Sequence, residues 1–562
     1  MQIQNPPGDM VIRGNVVDIM NRRTAEADVV IANGLVKKIT WHSDQVNDAL
    51  PFIMPGFIDA HIHIESSMLT PCGFAKIATT HGTVATISDP HEIANVLGID
   101  GIEFMLASAA KVPMKFFFGC PACVPATAFE TSGASIDAAD VARLMARDDI
   151  RYLAEMMNYP GVLTGDVDVL AKIRSAIDAK KPVDGHAPGL IGDQARRYIA
   201  AGITTDHECV SFDEAIGKLR LGMKILIREG SAAKNFEALK SLIDFHAAEV
   251  MLCSDDKHPD ELIHGHINQL VARAVADGID VYRVLRAACI NPIDHYSLSV
   301  GRLRTGDAAD FIIVKDLKDF SVLKTFIDGV CVARDGESLF DFDPDPVVNR
   351  FACAEKRPND FRILTHTDAP SVDARVIEAF DGELITGERI MTLRCIDSRL
   401  EPDVDRDILK FAVVNRYVDA PPAVALIHGF GMRRGAIASS VGHDSHNILA
   451  VGCDDESICR AVNAVIQHRG GVCAFDPADH CLRSLPLPIA GIMSASDGRE
   501  VAAQYHEVET FAKQQLGSTL TSPFMTLSFM ALLVIPKLKL SDRGLFDGER
   551  FEFVDLLIND MS

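Results

Sequence analysis

The sequence has little positive charge for its length. It carries 55 lysine and arginine residues against 78 acidic residues, which gives a formal net charge of -23 over 562 residues. Because a nucleic-acid or anionic-membrane surface needs a basic face, this balance argues against both kinds of partner. A small neutral substrate fits the composition better.

Long apolar runs, internal repeats and low-complexity tracts are also absent from the sequence. The most apolar run, Phe524 to Ile535, is too short to cross a bilayer as a helix and stops at Pro536, so we expect it in the core. The amino terminus lacks a basic segment followed by an apolar one, which predicts no secretory signal and a cytoplasmic protein. The 13 cysteines are therefore interpreted as reduced thiols.

What the sequence does contain is a short apolar stretch, Pro55 to Ser67, that ends in the paired histidines His61 and His63. Alternate side chains of a β-strand share a face, so both imidazoles are expected to point into one pocket. A single His-x-His pair is more often a pair of polar residues on the solvent-exposed face of a strand than a metal site. Further potential ligands follow downstream, however, and together they favour a metal site.

That stretch begins a series of eight short apolar strands, each followed by a segment of helix length. The alternation is typical of a parallel α/β fold, and eight such units predict a TIM-type (β/α)8 barrel with its chemistry at the carboxyl ends of the strands. The predicted strands are Phe57–His63, Val84–Asp89, Lys115–Cys120, Tyr152–Met156, Pro182–His186, Ile203–His207, Lys224–Arg228 and Val250–Asp255.

Alternating β-type segments occur on both sides of this series, and they predict a small composite β-domain. The segments are Met10–Val17, Ala27–Ile39, Gly301–Asp316 and Phe326–Val332. A stretch rich in proline and aspartate, Asp341 to Pro346, marks a boundary before an additional C-terminal α/β domain. The predicted domains are residues 1–54 plus 299–345 for the β-domain, 55–298 for the barrel and 346–562 for the C-terminal domain.

Six potential metal ligands fall at the ends of the predicted strands. Four imidazoles and two carboxylates are more than one ion needs, but they suit a pair of divalent ions that share a hydroxide. Each residue alone is weak support, whereas their joint occurrence at strand ends is specific. The six are His61, His63, Glu155, His186, His207 and Asp255.

Several longer segments carry a family resemblance. They are PGFIDAHIHIESSML at 55–69, SDPHEIANVLG at 88–98, AEMMNYPGV at 154–162, GHAPGL at 185–190, TDHE at 205–208, CSDDKHPDEL at 253–262, HDSHN at 443–447 and AGIMS at 490–494. The chain resembles the amidohydrolase superfamily and, more narrowly, the adenine deaminases of bacterial type, nearly end to end. Many amidohydrolases carry a carbamylated lysine on the fourth strand. Glu155 stands there instead, which argues against dihydroorotases, hydantoinases and ureases.

The resemblance implies roles for individual residues. Glu155 would bridge two metals, Asp255 would bind one metal and shuttle protons, and His91 would polarise the purine or move protons. A carboxylate beside a metal-bound water can take its proton and pass it to a leaving amine. Asp256 adjoins Asp255, but side chains alternate along a strand, so we expect only Asp255 to face the metals.

Two further groups of residues are candidates for the site. Arg228, Glu229 and Ser231 follow the seventh strand, and we expect them to contact the edge of the substrate at the barrel mouth. The cluster His443, Asp444 and His446 either adds to the active site or makes ordinary hydrogen bonds, and the sequence leaves both open.

A pair of cysteines gives a partial match to a different class of enzyme. His63-x-Glu65 with Cys120-x-x-Cys123 is similar to the H-x-E and P-C-x-x-C signature of zinc deaminases. The match is incomplete, because Gly119 rather than proline precedes Cys120. We expect these cysteines to pack in the interior.

The function that the resemblance implies is hydrolytic deamination of adenine to hypoxanthine and ammonia in purine salvage. It also implies two divalent ions per chain, with Mn²⁺ or Fe²⁺ favoured and Zn²⁺ as the alternative. We further expect a homodimer. Two other functions are considered: deamination of another aminopurine or cyclic amidine, and a non-catalytic scaffold. A non-catalytic scaffold would be expected to have lost some of the metal-ligating residues, whereas all six potential ligands are present.

Overall fold

A closed barrel of parallel strands forms the centre of the computed structural model, which describes residues 9–365, 367 and 369–558. The eight barrel strands are Phe57–Ile62, Thr83–Ser88, Lys115–Cys120, Ile150–Met156, Val183–Gly185, Thr205–Asp206, Lys224–Arg228 and Val250–Cys253. The first five pair in chain order, as do the last three. The predicted TIM-type barrel is confirmed.

Backbone hydrogen bonds join these two ladders into one barrel. The Thr204 amide donates to the Val183 carbonyl over 2.8 Å, and the Asp255 amide donates to the His61 carbonyl over 2.9 Å. Several strands end before the residues predicted for them, so His63, His207 and Asp255 lie just beyond a strand rather than on it. The carboxyl ends of the strands nevertheless converge, as the sequence predicts.

The first two barrel strands are buried at every position, because helices cover the outside and side chains fill the inside. Gly56, just before the first strand, packs closely against the second strand. A Cβ at this position would clash with Val84, because it would lie 2.3 Å from Cγ1 of that residue. The α-helices of the barrel region are Pro71–Ala78, His91–Leu97, Ile99–Ala109, Ala138–Met145, Tyr159–Thr164, Val167–Asp178, Gly192–Ala200, Phe212–Arg220, Phe236–Leu239, Leu242–Phe245, Pro259–Leu262, Ile267–Ala276, Val281–Leu285 and Asn291–Tyr296.

An eight-stranded sheet combines strands from before and after the barrel. Phe52–Pro55 pairs antiparallel with Phe311–Val314, and this pairing joins the two segments. The domain boundaries assigned from the sequence stay predictions. In sheet order the strands are Glu337–Ser338, Val330–Arg334, Val322–Ile327, Phe311–Val314, Phe52–Pro55, Met10–Asp18, Arg23–Ala32 and Leu35–Trp41.

The C-terminal region is built on a ten-stranded mixed sheet. In sheet order its strands are Ile363–Leu364, Arg399–Leu400, Thr386–Ile396, Ser371–Ala379, Ala423–His428, Ile408–Val414, Ile448–Gly452, Ala436–Ser439, Gly471–Asp476 and Cys481–Pro486. A smaller sheet consists of Leu538–Ser541, Gly544–Asp547 and Glu552–Phe553. The α-helices are Asp455–His468, Gly498–Gln514 and Pro523–Ser528.

The apolar run from Phe524 to Ile535 lies in this region, and its large side chains are buried, as predicted. Helix Pro523–Ser528 begins the run and ends well before it is complete. Across the described ranges, every helix is too short or too polar to traverse a bilayer.

Candidate active site

The carboxyl ends of the barrel strands bring the six predicted ligands into one buried cluster, which we call the floor. All six side chains are shielded from solvent, and their ligand atoms face one another across a few ångströms. The floor consists of His61, His63, Glu155, His186, His207 and Asp255.

One side of the floor is a triangle of nitrogen and oxygen atoms. His61 Nε2 lies 3.2 Å from His63 Nε2 and 3.4 Å from Oδ1 of Asp255, and His63 Nε2 lies 3.2 Å from the same oxygen. Ligand atoms bound at about 2 Å around one ion lie roughly 3 Å or slightly more from one another. The triangle therefore fits a single divalent ion.

Glu155 spans the floor between this triangle and the remaining histidines. Its Oε1 lies 3.3 Å from His63 Nε2, while its Oε2 lies 2.8 Å from His186 Nδ1 and 3.2 Å from His207 Nε2. A carboxylate with each oxygen facing a different set of imidazoles has the arrangement of a bridging ligand. The buried Nε2 of His186 has no hydrogen-bond partner in the described structure, which also fits a site for an additional group.

The charges around the floor keep its carboxylates ionised. Burial acts to raise the pKa of Asp255, but the Arg228 guanidinium and hydrogen bonds from His61 and His63 outweigh it and hold the pKa well below its usual range. The pKa of Glu155 is likewise lowered despite burial, because of His186, His207 and His63. Ionised carboxylates are the form that binds metal.

Arg228 lies at the cavity as predicted, but its guanidinium is engaged by the protein. It donates to both carboxylate oxygens of Glu208, over 2.5 and 2.8 Å, and to Oδ2 of Asp255 over 2.5 Å. Glu208 lines the cavity too, and sequence reasoning missed it although it directly follows His207 in the TDHE segment. Arg228 therefore orients Asp255 from behind.

Glu229 and Ser231 are not brought to the cavity. Glu229 accepts a hydrogen bond from Arg273 over 2.5 Å, and the Ser231 hydroxyl donates to Glu261 over 2.9 Å. Side-chain alternation explains the first case, because Arg228 faces inward at the end of its strand and the next residue points away. Ser231 lies in the loop that follows.

Asp256 lines the cavity together with Asp255, while the expectation that only Asp255 faces the metals stays a prediction. The eighth strand ends at Cys253, and Asp255 has a left-handed backbone with a φ of 55°. Strict alternation of side chains does not extend past a strand end of this kind. The Ser66 hydroxyl donates to Oδ1 of Asp256 over 2.5 Å and fixes its position.

His91 lies at the start of a helix directly after the second strand, beside the floor. Its Nδ1 lies 3.0 Å from Oδ2 of Asp89 and 3.5 Å from Oε1 of Glu155. Burial alone would lower the pKa of His91, but the negative charges of Asp89, Glu92 and Asp444 raise it well above the usual value. These negative charges therefore favour the protonated form of His91 beside the ligand cluster.

The C-terminal region covers the cavity with five side chains that we call the roof. The roof consists of Leu384, His443, Asp444, Phe529 and Leu532. These residues line the cavity opposite the floor, together with side chains of the barrel. The catalytic cavity is therefore shared by the barrel and the C-terminal region.

The sequence left the role of the cluster His443, Asp444 and His446 open. In the structure two of these residues lie at the cavity wall and the third lies behind them. His443 Nδ1 contacts Oε1 of Glu92, and Asp444 Oδ1 lies 3.7 Å from His91 Nε2, so both belong to the cavity wall. His446 lies behind them, with its Nε2 2.6 Å from Oε2 of Glu92. Glu92 follows His91 directly and was not identified from the sequence.

The cysteine pair packs in the interior, as expected from the sequence. Cys120 and Cys123 are buried, and Sγ of Cys123 lies 3.9 Å from the sulfur of Met156. Burial raises the pKa of the Cys123 thiol to about 11. Both thiols therefore pack as small apolar groups.

Comparison with known proteins relates the whole chain to one family. Residues 52–332 match the amidohydrolase family, and residues 383–552 match the adenine deaminase C-terminal domain. The chain is 51% identical to the adenine deaminase of Salinibacter ruber over 98% of this chain and 100% of that protein. It is 52% identical to the adenine deaminase of Sulfurovum sp. (strain NBC37-1), with coverages of 97% and 99%.

A third relative is archaeal. The adenine deaminase of Methanosarcina barkeri is 50% identical over 97% of this chain and 98% of that protein. Identity at this level over nearly the full length extends to the barrel and the C-terminal region alike. The chain belongs to the amidohydrolase family and, within it, to the adenine deaminases.

Proposed function

We propose that this chain hydrolyses adenine to hypoxanthine and ammonia with two divalent ions held by the floor. The floor itself is the observation that carries the proposal, because six buried histidine and carboxylate ligands converge at the carboxyl ends of a barrel. Near-full-length similarity to proteins named adenine deaminases supports the choice of substrate.

The ligand set divides between two ions. His61, His63 and Asp255 would hold one ion, His186 and His207 would hold the other, and Glu155 would lie between them. Imidazole and carboxylate donors suit Mn²⁺ or Fe²⁺, and they also accept Zn²⁺. When bound, such ions lower the pKa of water that they coordinate, so a strong nucleophile is available near neutral pH.

Asp255 is the residue best placed to move protons. Its Oδ2 is held by Arg228 over 2.5 Å, which directs Oδ1 towards His61 and His63. We propose that this carboxylate takes a proton from the attacking water and delivers it to the departing amine. Arg228 is a positioning residue in this scheme, because it touches Asp255 rather than the purine.

His91 is proposed to act on the purine ring. Attack at the ring carbon that carries the exocyclic amine places negative charge on a neighbouring ring nitrogen. His91, oriented by Asp89, lies beside Glu155 and in its protonated form can donate a proton or a hydrogen bond to that nitrogen. Leu384, Phe529 and Leu532 of the roof exclude bulk water from the same space.

The reaction returns a free purine base to a form that other enzymes can use, which is the basis for assigning the chain to purine salvage. The sequence-based expectations of a cytoplasmic location and a homodimer are kept as part of this proposal. Sedimentation velocity of the purified chain tests the dimer.

The substrate assignment is tested with metal-reconstituted protein and a panel of bases. Ammonia release is measured from adenine, adenosine, guanine, cytosine and N6-methyladenine at equal concentrations. We expect adenine to be preferred, and a site that hydrogen-bonds a free ring nitrogen rejects a ribosylated analogue by about ten-thousand-fold. If adenosine or cytosine is turned over more efficiently than adenine, the substrate assignment fails while the metal-hydrolase assignment survives.

A further inference from the structure

We propose that His443 and Asp256 together recognise the edge of adenine formed by N7 and the exocyclic amine. The imidazole of His443 donates a hydrogen bond to N7, and the carboxylate of Asp256 accepts one from the amine. This inference rests on the proposed function, and it assigns substrate contacts to one residue of the C-terminal region and one residue of the barrel.

His443 presents an unused ring nitrogen to the cavity. Its side chain is almost fully buried, its Nδ1 contacts Glu92, and its Nε2 has no hydrogen-bond partner in the described structure. Oδ1 of Asp256 lies 3.9 Å from Nε2, which is beyond hydrogen-bond distance. A buried polar atom of this kind is normally paired, so it marks a contact that a ligand can supply.

The ring of His443 is held in a fixed orientation. Phe529 stacks on it with the ring centroids 4.6 Å apart and the planes 12° apart, while Glu92 anchors the opposite end from the barrel. Burial alone would lower the pKa of His443, but Glu92 and Asp256 raise it to about 9. The contact with Glu92 places a proton on Nδ1. In the doubly protonated ring that the surrounding negative charges favour, Nε2 is a donor as well.

Asp256 supplies the complementary acceptor. Its Oδ1 already accepts a hydrogen bond from the Ser66 hydroxyl over 2.5 Å, so this carboxylate oxygen is oriented as an acceptor towards the cavity. Donor and acceptor therefore stand side by side without bonding to each other. Adenine presents the matching pattern, because its N7 is an acceptor and its adjacent amine is a donor.

His443 and Asp256 would also distinguish purines that carry an amine at C6 from purines that carry a carbonyl there. Guanine and hypoxanthine carry a carbonyl oxygen where adenine carries its amine, so two acceptors would face His443 and Asp256. A carboxylate opposite a carbonyl oxygen is unfavourable in a buried cavity. The pair therefore favours binding of adenine over guanine and favours release of hypoxanthine once the amine has left.

The donor is tested with 7-deazaadenine, in which a C–H group replaces N7. The ratio of kcat/KM for adenine to kcat/KM for 7-deazaadenine is measured for the wild type, His443→Leu and His443→Gln. The intrinsic reactivity difference between the two bases is common to all three proteins and cancels on comparison. We expect this ratio to fall by about ten- to a hundred-fold in His443→Leu, the effect of one lost buried hydrogen bond.

His443→Gln is the matched control for this test, because its amide nitrogen can replace Nε2 as a donor and should retain most of the preference. His428→Leu, a histidine of the C-terminal region outside the cavity, controls for effects on folding. Metal content and thermal unfolding are recorded for every variant. An unchanged ratio in a folded, metal-loaded His443→Leu overturns the assignment of the donor.

The acceptor is tested by binding of hypoxanthine, which needs no turnover. Asp256→Asn replaces a carboxylate oxygen with an amide that can donate to the carbonyl of hypoxanthine. We expect hypoxanthine to bind about ten-fold more tightly to Asp256→Asn than to the wild type, as measured by competitive inhibition or calorimetry. A purely structural role for Asp256 predicts weaker or equal binding, and that result overturns the assignment of the acceptor.

Failure of the proposed function gives a different outcome from failure of this inference. If the wild type releases no ammonia from adenine under any metal condition, the proposed function is wrong. If the wild type deaminates adenine but discriminates no better than His443→Leu, only the recognition pair is wrong.

Discussion

The floor and the roof meet in one cavity but are assembled differently. The floor takes its six side chains from the ends of barrel strands, whereas the roof takes its five from three separate segments of the C-terminal region. The floor is entirely imidazole and carboxylate, whereas three of the five roof residues are apolar. The comparison separates two proposed tasks: the floor would supply the chemistry, and the roof would supply enclosure and recognition.

Removal of metal is the largest perturbation that this comparison predicts, because it disables the floor and leaves the roof intact. Exhaustive chelation should reduce adenine deamination to background, and two equivalents of Mn²⁺ per chain should restore it. Metal analysis with activity titration checks the stoichiometry. Glu155→Ala should also lose activity, and bicarbonate should not restore it, because the carboxylate between the two ions is gone. Full activity with one tightly held ion contradicts the dinuclear site.

Asp255→Asn should lower kcat by several orders of magnitude, because metal ligation and proton transfer are lost together. Asp256→Asn should be milder, since Asp256 is held by Ser66 and is proposed to contact only the substrate. Steady-state kinetics and metal content of the two variants provide the comparison. Greater damage from Asp256→Asn would mean that the floor has been assigned to the wrong aspartate.

His91→Asn should lower kcat by about a hundred- to ten-thousand-fold, the usual range for loss of a general acid or base. KM should change much less, because His91 is proposed to act on charge that develops during the reaction. The amide of asparagine keeps a polar group near Asp89 and limits structural change. A rise in KM with unchanged kcat would assign His91 to substrate binding instead.

Leu532→Ala should weaken the roof without affecting the floor. Loss of apolar contact with the purine should lower kcat/KM by about ten- to a hundred-fold, mostly through KM. Metal content should equal that of the wild type, which distinguishes this variant from substitutions in the floor. If Leu532→Ala loses metal, the two parts of the cavity are energetically coupled.

The last effect concerns stability rather than activity and involves Lys539, which supports the roof from behind. Its buried ammonium group donates to the carbonyl oxygens of Leu384 and Phe529 over 2.7 and 3.0 Å, and burial lowers its pKa to about 7. An unfolded chain keeps a lysine protonated up to a pH of about 10.4. Between these values the unfolded state binds more protons, so this residue makes the free energy of unfolding rise with pH.

Urea unfolding at several pH values checks this prediction against Lys539→Met. Between pH 7 and about 10, stability of the wild type relative to the variant should rise by at most about 1.4 kcal/mol per pH unit. Equal pH dependence in both proteins would mean that Lys539 stays protonated in the folded state.

The floor was predictable because its signal is local. Parallel strands of a barrel place their carboxyl ends at the same rim, so polar residues that end apolar strands must converge there. His61, His63, Glu155, His186 and His207 were all identified from such positions. Exact strand ends did not matter, because a residue just beyond a strand still projects from the same rim.

The sequence by itself determined the barrel, the family and the convergence of six potential ligands at the strand ends. Only the tertiary structure decided that Glu92 meets His443 across 351 residues of sequence, that Asp256 joins Asp255, and that Glu229 turns away. Contacts between distant segments have no periodicity to reveal them, since they depend on how two regions pack. The left-handed backbone at Asp255 likewise follows from its surroundings, because a strand's alternation ends where its hydrogen-bonded ladder ends.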